Sequence, residues 1–579
     1  MSVIKTNILL TTVCRPFGGK GEGDSVGAEL FHAQLTREQG IFSYRQVIRC
    51  WGLDYIAENI HAPSVVLHYP SEREFVRELM IRKYEYIGIN FVVATFHKLK
   101  RMTQLIRRHS PGAKIILGGY GTVLSDEELL PYGSFICREE GISYMRRLLG
   151  EDTNRPIVHP YAPIKSPRIY SYPLKTKVAH ITGGLGCPNG CDFCCTSHFF
   201  KRRYIPFVQS GKELYKLILD MEQKAEKAGD VLGSFIFIDE DFFIQEKRAR
   251  EFLQCVREKG KILSIMGFGS VRGLSKFTAD EIAEMGFDVL WTSFEGTESH
   301  FSKLKGKTLP ELYSSLNARG VAILSSMIIG LPYQDRKKIM EEFRIFTGLC
   351  PSLWQVLIYF AFPGTPLHQR MLEENRFLPE YRRNPDYRTF DGFSMHFNHP
   401  HFSAVELETL QRELYRKNFE ILGPSLLQVI RIWFEGYCNL KNSPNPLLKG
   451  RADRMKEYVK NAVPALYPTM LFGPNRGRRA DARRLFHQIE QEMGGLSIKQ
   501  RLFCLATIPL SYWTWLTTKL NILQQPKLMR IQYPATYTNS AEDQGIEQRK
   551  SSQISILNTN SSKPFCSSSV ELENQESSI

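Results

Sequence analysis

The feature that most constrains this chain is an alternation of short apolar runs with amphipathic stretches of helical period, repeated in two separate series. In the first, Asn7–Val13, Ser64–His68, Tyr86–Val93 and Lys114–Gly118 read as buried strands, with helices near Glu72–Lys83 and His97–His109 between them. Strands that are apolar on both faces and separated by helices form βαβ units, so residues 1–150 are expected to fold as an open, Rossmann-like parallel sheet. Ligands of such sheets lie beyond the carboxyl ends of the strands, which makes the loops after Val13, His68, Val93 and Gly118 the frame of any site there. Gly118-Gly119-Tyr120-Gly121 would let backbone approach a bulky ligand closely, or would serve as a plain strand-to-helix turn.

A Pro-containing linker over 151–176 separates this series from a second one over 177–370. Its strands are Val178–Thr182, Ser234–Ile238, Leu263–Gly267, Val289–Ser293, Ala322–Ile329 and Trp354–Phe360, and helical patterns lie between them. Six strand–helix units predict an α/β domain built as a partial or full parallel barrel. From 371 to 533 helical periodicity takes over, running from Ala404–Leu422 to Ile498–Leu523. Residues 534–579 are rich in Ser, Asn, Gln and Glu and are expected to be a disordered tail.

The 579 residues are 42% hydrophobic and carry a formal net charge of +15. That balance excludes a small disulfide scaffold, a collagen-like repeat and a wholly disordered chain. Of the twelve cysteines, Cys187, Cys191, Cys194 and Cys195 fall within nine residues and the rest stand singly. This is a metal-site distribution and not a disulfide framework, and it implies a reducing interior. The apolar run Ile8–Val13 is too short for an export signal, so a cytoplasmic location is expected.

The strongest local signal is Gly183-Gly184-Leu185-Gly186-Cys187-Pro188-Asn189-Gly190-Cys191-Asp192-Phe193-Cys194-Cys195, directly after an apolar strand. Three thiolates spaced x3 and x2 on a Gly/Pro-rich loop can hold an iron–sulfur cluster and leave one iron open for a substrate or cosubstrate. A structural zinc site with His198 as fourth ligand is the alternative that spacing alone leaves open.

With an aromatic residue, Phe193, before the last cysteine, this loop resembles the cluster loop of radical S-adenosylmethionine (SAM) enzymes. Phe237-Ile238-Asp239-Glu240-Asp241-Phe242-Phe243, Phe294-Glu295-Gly296-Thr297-Glu298-Ser299 with Leu304-Lys305-Gly306-Lys307-Thr308, Ile329-Gly330-Leu331-Pro332 and Phe362-Pro363-Gly364-Thr365-Pro366-Leu367 resemble, in order, the later strand signatures of the subgroup with an N-terminal cobalamin-binding domain. The resemblance implies a [4Fe-4S] cluster on Cys187, Cys191 and Cys194. It implies SAM contacts from Phe193, Asp239, Glu240, Asp241 and Glu295, and a corrinoid beside Gly118 and Gly119, where Ile116-Leu117-Gly118-Gly119 resembles the presenting strand end. The DxHxxG loop that supplies an axial imidazole in many such domains does not occur in residues 1–150, and His32, His61, His68 and His97 are isolated. The implied activity is reductive cleavage of SAM and cobalamin-dependent methylation of an unactivated carbon, with electrons from a flavodoxin- or ferredoxin-type donor. Cyclisation, coupling or rearrangement of substrate, RNA modification, and a non-catalytic metal-bearing interaction protein are the competing readings.

Between Lys441 and Arg530 there are sixteen Lys and Arg against five Asp and Glu, so much of the charge excess lies in the C-terminal helices. Residues 498–523 combine an apolar, Trp/Tyr-bearing run with basic edges. The run is interrupted by Pro509 and is shorter than the ~20 residues needed to span a bilayer. It reads either as a buried capping helix or as a peripheral membrane contact, the latter suiting a lipid or small hydrophobic substrate. The aromatics are clustered rather than interleaved with basic residues, so nucleic acid is not the expected partner.

Overall fold

In the computed structural model, which describes residues 7–15, 35–43, 49–166, 170, 175–383, 385–520 and 527–535, the first series of apolar runs forms one parallel sheet. Its strands are β1 (Ile8–Thr12), β2 (Ser64–His68), β3 (Tyr86–Asn90), β4 (Lys114–Gly118) and the two-residue β5 (Phe135–Ile136), in spatial order 2-1-3-4-5. Alternate residues feed opposite faces. Leu9, Val65, Ile87 and Leu117 enter one apolar cluster and Ile8, Leu10, Val66 and Ile116 another, and this two-sided burial is why the strands read as unbroken apolar runs. Helices α1 (Trp51–Glu58), α2 (Glu72–Ile81), α3 (Phe96–His109) and α4 (Gly141–Leu148) join or flank the strands. The Ser71 hydroxyl caps α2 by accepting from the Glu74 amide while the Glu74 carboxylate accepts from the Ser71 amide, a capping box readable as S-x-x-E. Residues 16–34, with the loop that follows Arg15 and with His32, lie outside the described residues.

The second series forms a curled sheet. A short β6 (Ile164–Lys165) lies antiparallel on β7 (Lys177–Ile181), and five further strands follow in strict sequential order: β8 (Leu232–Phe237), β9 (Ile265–Phe268), β10 (Phe287–Glu295), β11 (Ala322–Ile329) and β12 (Leu353–Ile358). The six strands from β7 to β12 are parallel. Among the described residues no pairing joins β12 back to β7, so the barrel is partial. Helices α5 (Gly211–Lys227), α6 (Glu246–Lys259), α7 (Ala279–Glu284), α8 (Leu309–Asn317) and α9 (Arg336–Gly348) make the crossovers.

Beyond the barrel come α10 (Ala404–Leu422), α11 (Ser425–Leu440), α12 (Pro446–Ala462), α13 (Leu466–Phe472), α14 (Arg476–Met493) and α15 (Ile498–Lys519). Helix α10 satisfies the open edge of β12: the Tyr415 hydroxyl accepts from the Val356 amide at 3.0 Å and the Gln411 amide donates to the Val356 carbonyl at 2.6 Å. Among the described residues no helix is long and apolar enough to cross a membrane.

The sequence reading of 371–533 as helical needs one correction. Met529–Tyr533 is a strand, β13, which pairs antiparallel with β2 and makes the N-terminal sheet six-stranded. Arg530 bonds Glu78 through two nitrogens, at 2.8 and 2.9 Å, and the Tyr533 hydroxyl donates to Asp54 at 2.8 Å. Five residues that alternate apolar and polar make an edge strand too short to stand out after a long helical stretch. The expected disordered tail falls, from 536 onward, outside the described residues.

Candidate cofactor site

The three-cysteine loop leaves the carboxyl end of β7, and its path is fixed by glycines and by acids from the next strand. Gly186 and Gly190 adopt φ of +83° and +69°, where a Cβ would be strained. The Gly183 amide donates to Asp239 at 3.1 Å. The same carboxylate accepts from the Tyr204 hydroxyl and from Arg248, both at 2.6 Å, in a pair whose side chains are 2% and 4% exposed. Asp241 accepts from the Asn189 amide group at 3.2 Å and from the Ser270 amide at 3.2 Å. Asn189 also points a donor at the Cys187 sulfur, 3.2 Å away, and accepts from Arg272 at 2.5 Å. Asp239 and Asp241, expected beside SAM, thus have oxygens engaged in holding the loop.

The three thiols are gathered, buried or half-buried, within electrostatic reach of one another. Burial pushes Cys187 up to about 11 and Cys191 up to about 12. Among the described residues no three of His, Cys, Asp and Glu converge on a point where a single metal ion would sit. His198 Nε2 lies 3.0 Å from the Cys191 carbonyl, so this ring nitrogen is engaged by the loop backbone. A cluster differs from a lone ion in presenting a separate iron to each thiolate, so the sulfurs need not converge.

Glu295 ends β10 with φ of +60°, an uncommon conformation for a non-glycine residue. One carboxylate oxygen is ion-paired with Lys303; the other is buried and has no hydrogen-bond partner. Burial opposes the Lys303 charge, yet the Glu295 carboxylate and the Cys191 thiol hold its pKa above the ordinary range. Lys303 Nζ also lies 5.5 Å from the centre of the Phe193 ring. Phe193 meets Phe301 and Tyr359 edge-on at 5.2 and 5.9 Å, forming an apolar wall. Asp192 accepts from Tyr359 and Arg370 and so ties the loop to the end of the last barrel strand.

Glu240, between the buried Asp239 and Asp241, is exposed on the open side of the site. Desolvation pushes its carboxyl up to about 7, opposed by a hydrogen bond with Thr196. It faces Tyr120 from the N-terminal sheet, whose hydroxyl burial raises above its ordinary range, with the Glu240 charge adding to the effect. The Tyr120 ring stands edge-on to Phe199 at 5.2 Å, so the turn after β4 touches the short helix Cys195–Phe199 that follows the cluster loop. The two sheets therefore bring their carboxyl ends to one place.

Gly118 and Gly119 sit at that junction with different demands. Gly119 has φ of +88°, and a Cβ there would lie 2.6 Å from the Phe91 carbonyl, so the turn itself requires glycine; a Cβ on Gly118 would meet nothing closer than 3.9 Å. Among the other candidates, His68 is fully buried against Asp54 at 3.1 Å and His61 contacts Arg155. Sequence reasoning missed Lys303, Tyr120 as a contact, Thr196 and the Tyr204–Arg248 pair. Three of these lay in or beside a motif: Tyr120 within Gly118–Gly121, Thr196 directly after Cys195, and Lys303 directly before Leu304-Lys305-Gly306.

No family model matches the chain. Two curated relatives are each 22% identical to it: an uncharacterised methyltransferase of Pyrococcus horikoshii over 326 residues, covering 54% of this chain and 68% of that protein, and the bacteriochlorophyllide d C-12(1)-methyltransferase of Chlorobaculum tepidum over 351 residues, covering 54% and 70%. Among solved structures, the radical S-adenosylmethionine methyltransferase TsrM of Kitasatospora setae is similar in two forms. One, with tryptophan and a SAM analogue bound, has 12% identity, a TM-score of 0.49 and coverage of 79% of this chain and 100% of that one; the other, with cobalamin and a [4Fe-4S] cluster bound, has 12% identity, a TM-score of 0.45 and coverage of 78% and 98%. The chain is thus similar to proteins named as methyltransferases.

Proposed function

We propose that this chain is a radical SAM methyltransferase that acts on an unactivated carbon of a small-molecule or lipid substrate, with cobalamin and an external electron donor of flavodoxin or ferredoxin type. The observation that carries the reading is the buried, unpartnered oxygen of Glu295 beside three gathered thiols. A soft three-thiolate donor set suits an iron–sulfur cluster with one open iron, and an orphaned carboxylate oxygen suits the amino or ribose hydroxyl donors of SAM. Cys187, Cys191 and Cys194 would hold the cluster, with Glu295 and Phe193 against SAM. The corrinoid fits less fully. Gly118 leaves room at the carboxyl end of β4, but among the described residues His68 is committed to Asp54, so the proposed corrinoid takes no imidazole from it. When bound, the cluster and SAM together supply a one-electron route to hydrogen abstraction, and the corrinoid a methyl donor.

The chain's own residues do the rest. Asn189, held by Arg272 and Asp241, fixes the loop beside Cys187. Lys303 places a positive charge next to Cys191, which favours its thiolate form. Phe193, Phe301 and Tyr359 exclude water from one side. Glu240 presents its carboxyl beside Tyr120 where the two sheets meet. Anaerobic reconstitution with iron and sulfide, followed by assay for reductant-dependent 5′-deoxyadenosine and S-adenosylhomocysteine, tests the reading. Neither product from a fully loaded chain given candidate substrates would refute it, and failure to bind added cobalamin would remove the corrinoid alone.

A further inference from the structure

Helix α15 is inside out. Its buried stripe is polar: Cys504, Thr507, Ser511 and Thr514 are at most 3% exposed. These residues recur at intervals of three and four and so form one face, resting on α13 and the turn Val463–Ala465. The hydroxyls need no water, because Thr507 donates to the Cys504 carbonyl at 2.6 Å, Ser511 to Thr507 at 2.7 Å and Thr514 to Leu510 at 2.8 Å. The opposite stripe is apolar. Ile498, Leu502, Leu505, Tyr512, Leu516 and Leu520 are 40–80% exposed and recur at helical spacing along the whole element, with Trp513 and Trp515 about half exposed beside them. At about 1.5 Å per residue the helix is ~33 Å long, a continuous apolar ridge of a size that soluble surfaces rarely leave open.

The charge around the ridge selects its occupant. Residues 494–527 hold four basic residues, Lys499, Arg501, Lys519 and Lys527, and no acidic one. Arg501 and Lys519 are exposed beside the ridge, and Lys519 Nζ stands 5.0 Å from the Trp515 ring. A second copy would bring the same basic rim against it. Anionic headgroups above an acyl layer complement both the rim and the ridge. We infer that α15 docks the chain, parallel to the surface, on an anionic phospholipid bilayer, with the Trp513–Leu516 side in the headgroup–acyl boundary. This rests on the helix alone and not on the proposed reaction.

Flotation of the full chain with vesicles of phosphatidylglycerol and phosphatidylcholine in equal parts tests it. The wild type is expected to float with these and not with pure phosphatidylcholine. Brominated lipid should quench tryptophan fluorescence, and the quenching should be lost in the W513F/W515F variant. Leu502→Glu with Leu516→Glu, both at exposed positions, should abolish flotation, and Arg501→Gln with Lys519→Gln should weaken partitioning roughly 30-fold. No flotation of the wild type, equal flotation of the double glutamate variant, or self-association in sedimentation that the glutamates abolish without any vesicle binding would each overturn the inference, the last in favour of a second copy.

Discussion

Asp239 shows how the site can be separated from its scaffold. Three donors of the chain occupy its two oxygens, and its partner Arg248 is 4% exposed, so Asp239→Ala strands a guanidinium that, among the described residues, keeps a hydrogen bond to Tyr204 alone. Removing one member of a buried pair costs about 3–5 kcal/mol, most of it from the uncompensated charge. The Gly183 amide loses its acceptor in the same step. Arg248→Met in the Asp239→Ala background removes the stranded charge, and the double variant is expected to recover about 2 kcal/mol relative to the sum of the single changes. Urea unfolding of the metal-free chain measures the cycle, and hydrogen exchange over 178–190 reports whether the loop amide has been freed. Additivity within about 0.5 kcal/mol, or unchanged exchange at Gly183, would refute a load carried by this pair and return Asp239 to direct contact with SAM.

Cys187→Ala, Cys191→Ala and Cys194→Ala are each expected to lose most of the iron and sulfide bound on anaerobic reconstitution, whereas Cys195→Ala should keep them; metal and sulfide analysis decides. Lys303→Met leaves the Glu295 carboxylate, 3% exposed, without its ion pair and should destabilise the chain by about 3 kcal/mol, with partial recovery when Glu295→Gln is added, read by urea midpoints. Burial pulls His396 down to about 3, partly opposed by Asp386; its ring stacks on Phe390 and meets Tyr381. The folded chain keeps this ring neutral while the unfolded chain protonates it near the ordinary 6.5, so stability is full above that value and falls as pH drops toward 3, by about 2 kcal/mol at pH 5. His396→Phe should flatten that part of the pH–stability curve. Deleting 527–535 removes β13 and should raise hydrogen exchange at Val66 in β2, whose amide faces β13, while Val65 and Leu67, whose amides face β1, stay protected and the barrel is unaffected.

Where one residue type at one spacing decides the outcome, the sequence was enough. The strands of both sheets are legible because parallel strands buried on two faces must be apolar throughout, and the crossover helices because their caps and 3.6-residue period are local. The cysteine loop is legible for the same reason. What could not be read is what distant segments do to each other. Asp239, Glu240 and Asp241 are three adjacent acids with one composition, yet Arg248 from the following helix and Asn189 from the preceding loop engage two of them, while the third faces Tyr120 from another sheet. Glycines mislead in the same way: Gly119 is demanded by the Phe91 carbonyl of its own sheet, so its presence does not by itself signal a ligand. In α15 the apolar run is plain in the sequence, but periodicity gives only the angle between faces and not which face turns inward. Contact with α13 and Val463–Ala465 decides that, and it decides for the threonines. Much of the formal charge of +15 lies between Lys441 and Arg530, a stretch that includes this ridge of exposed leucine and tryptophan and not the cluster loop. The cluster loop and α15 belong to separate segments of the chain, so α15 variants should change where the protein resides without changing what a reconstituted cluster does in solution.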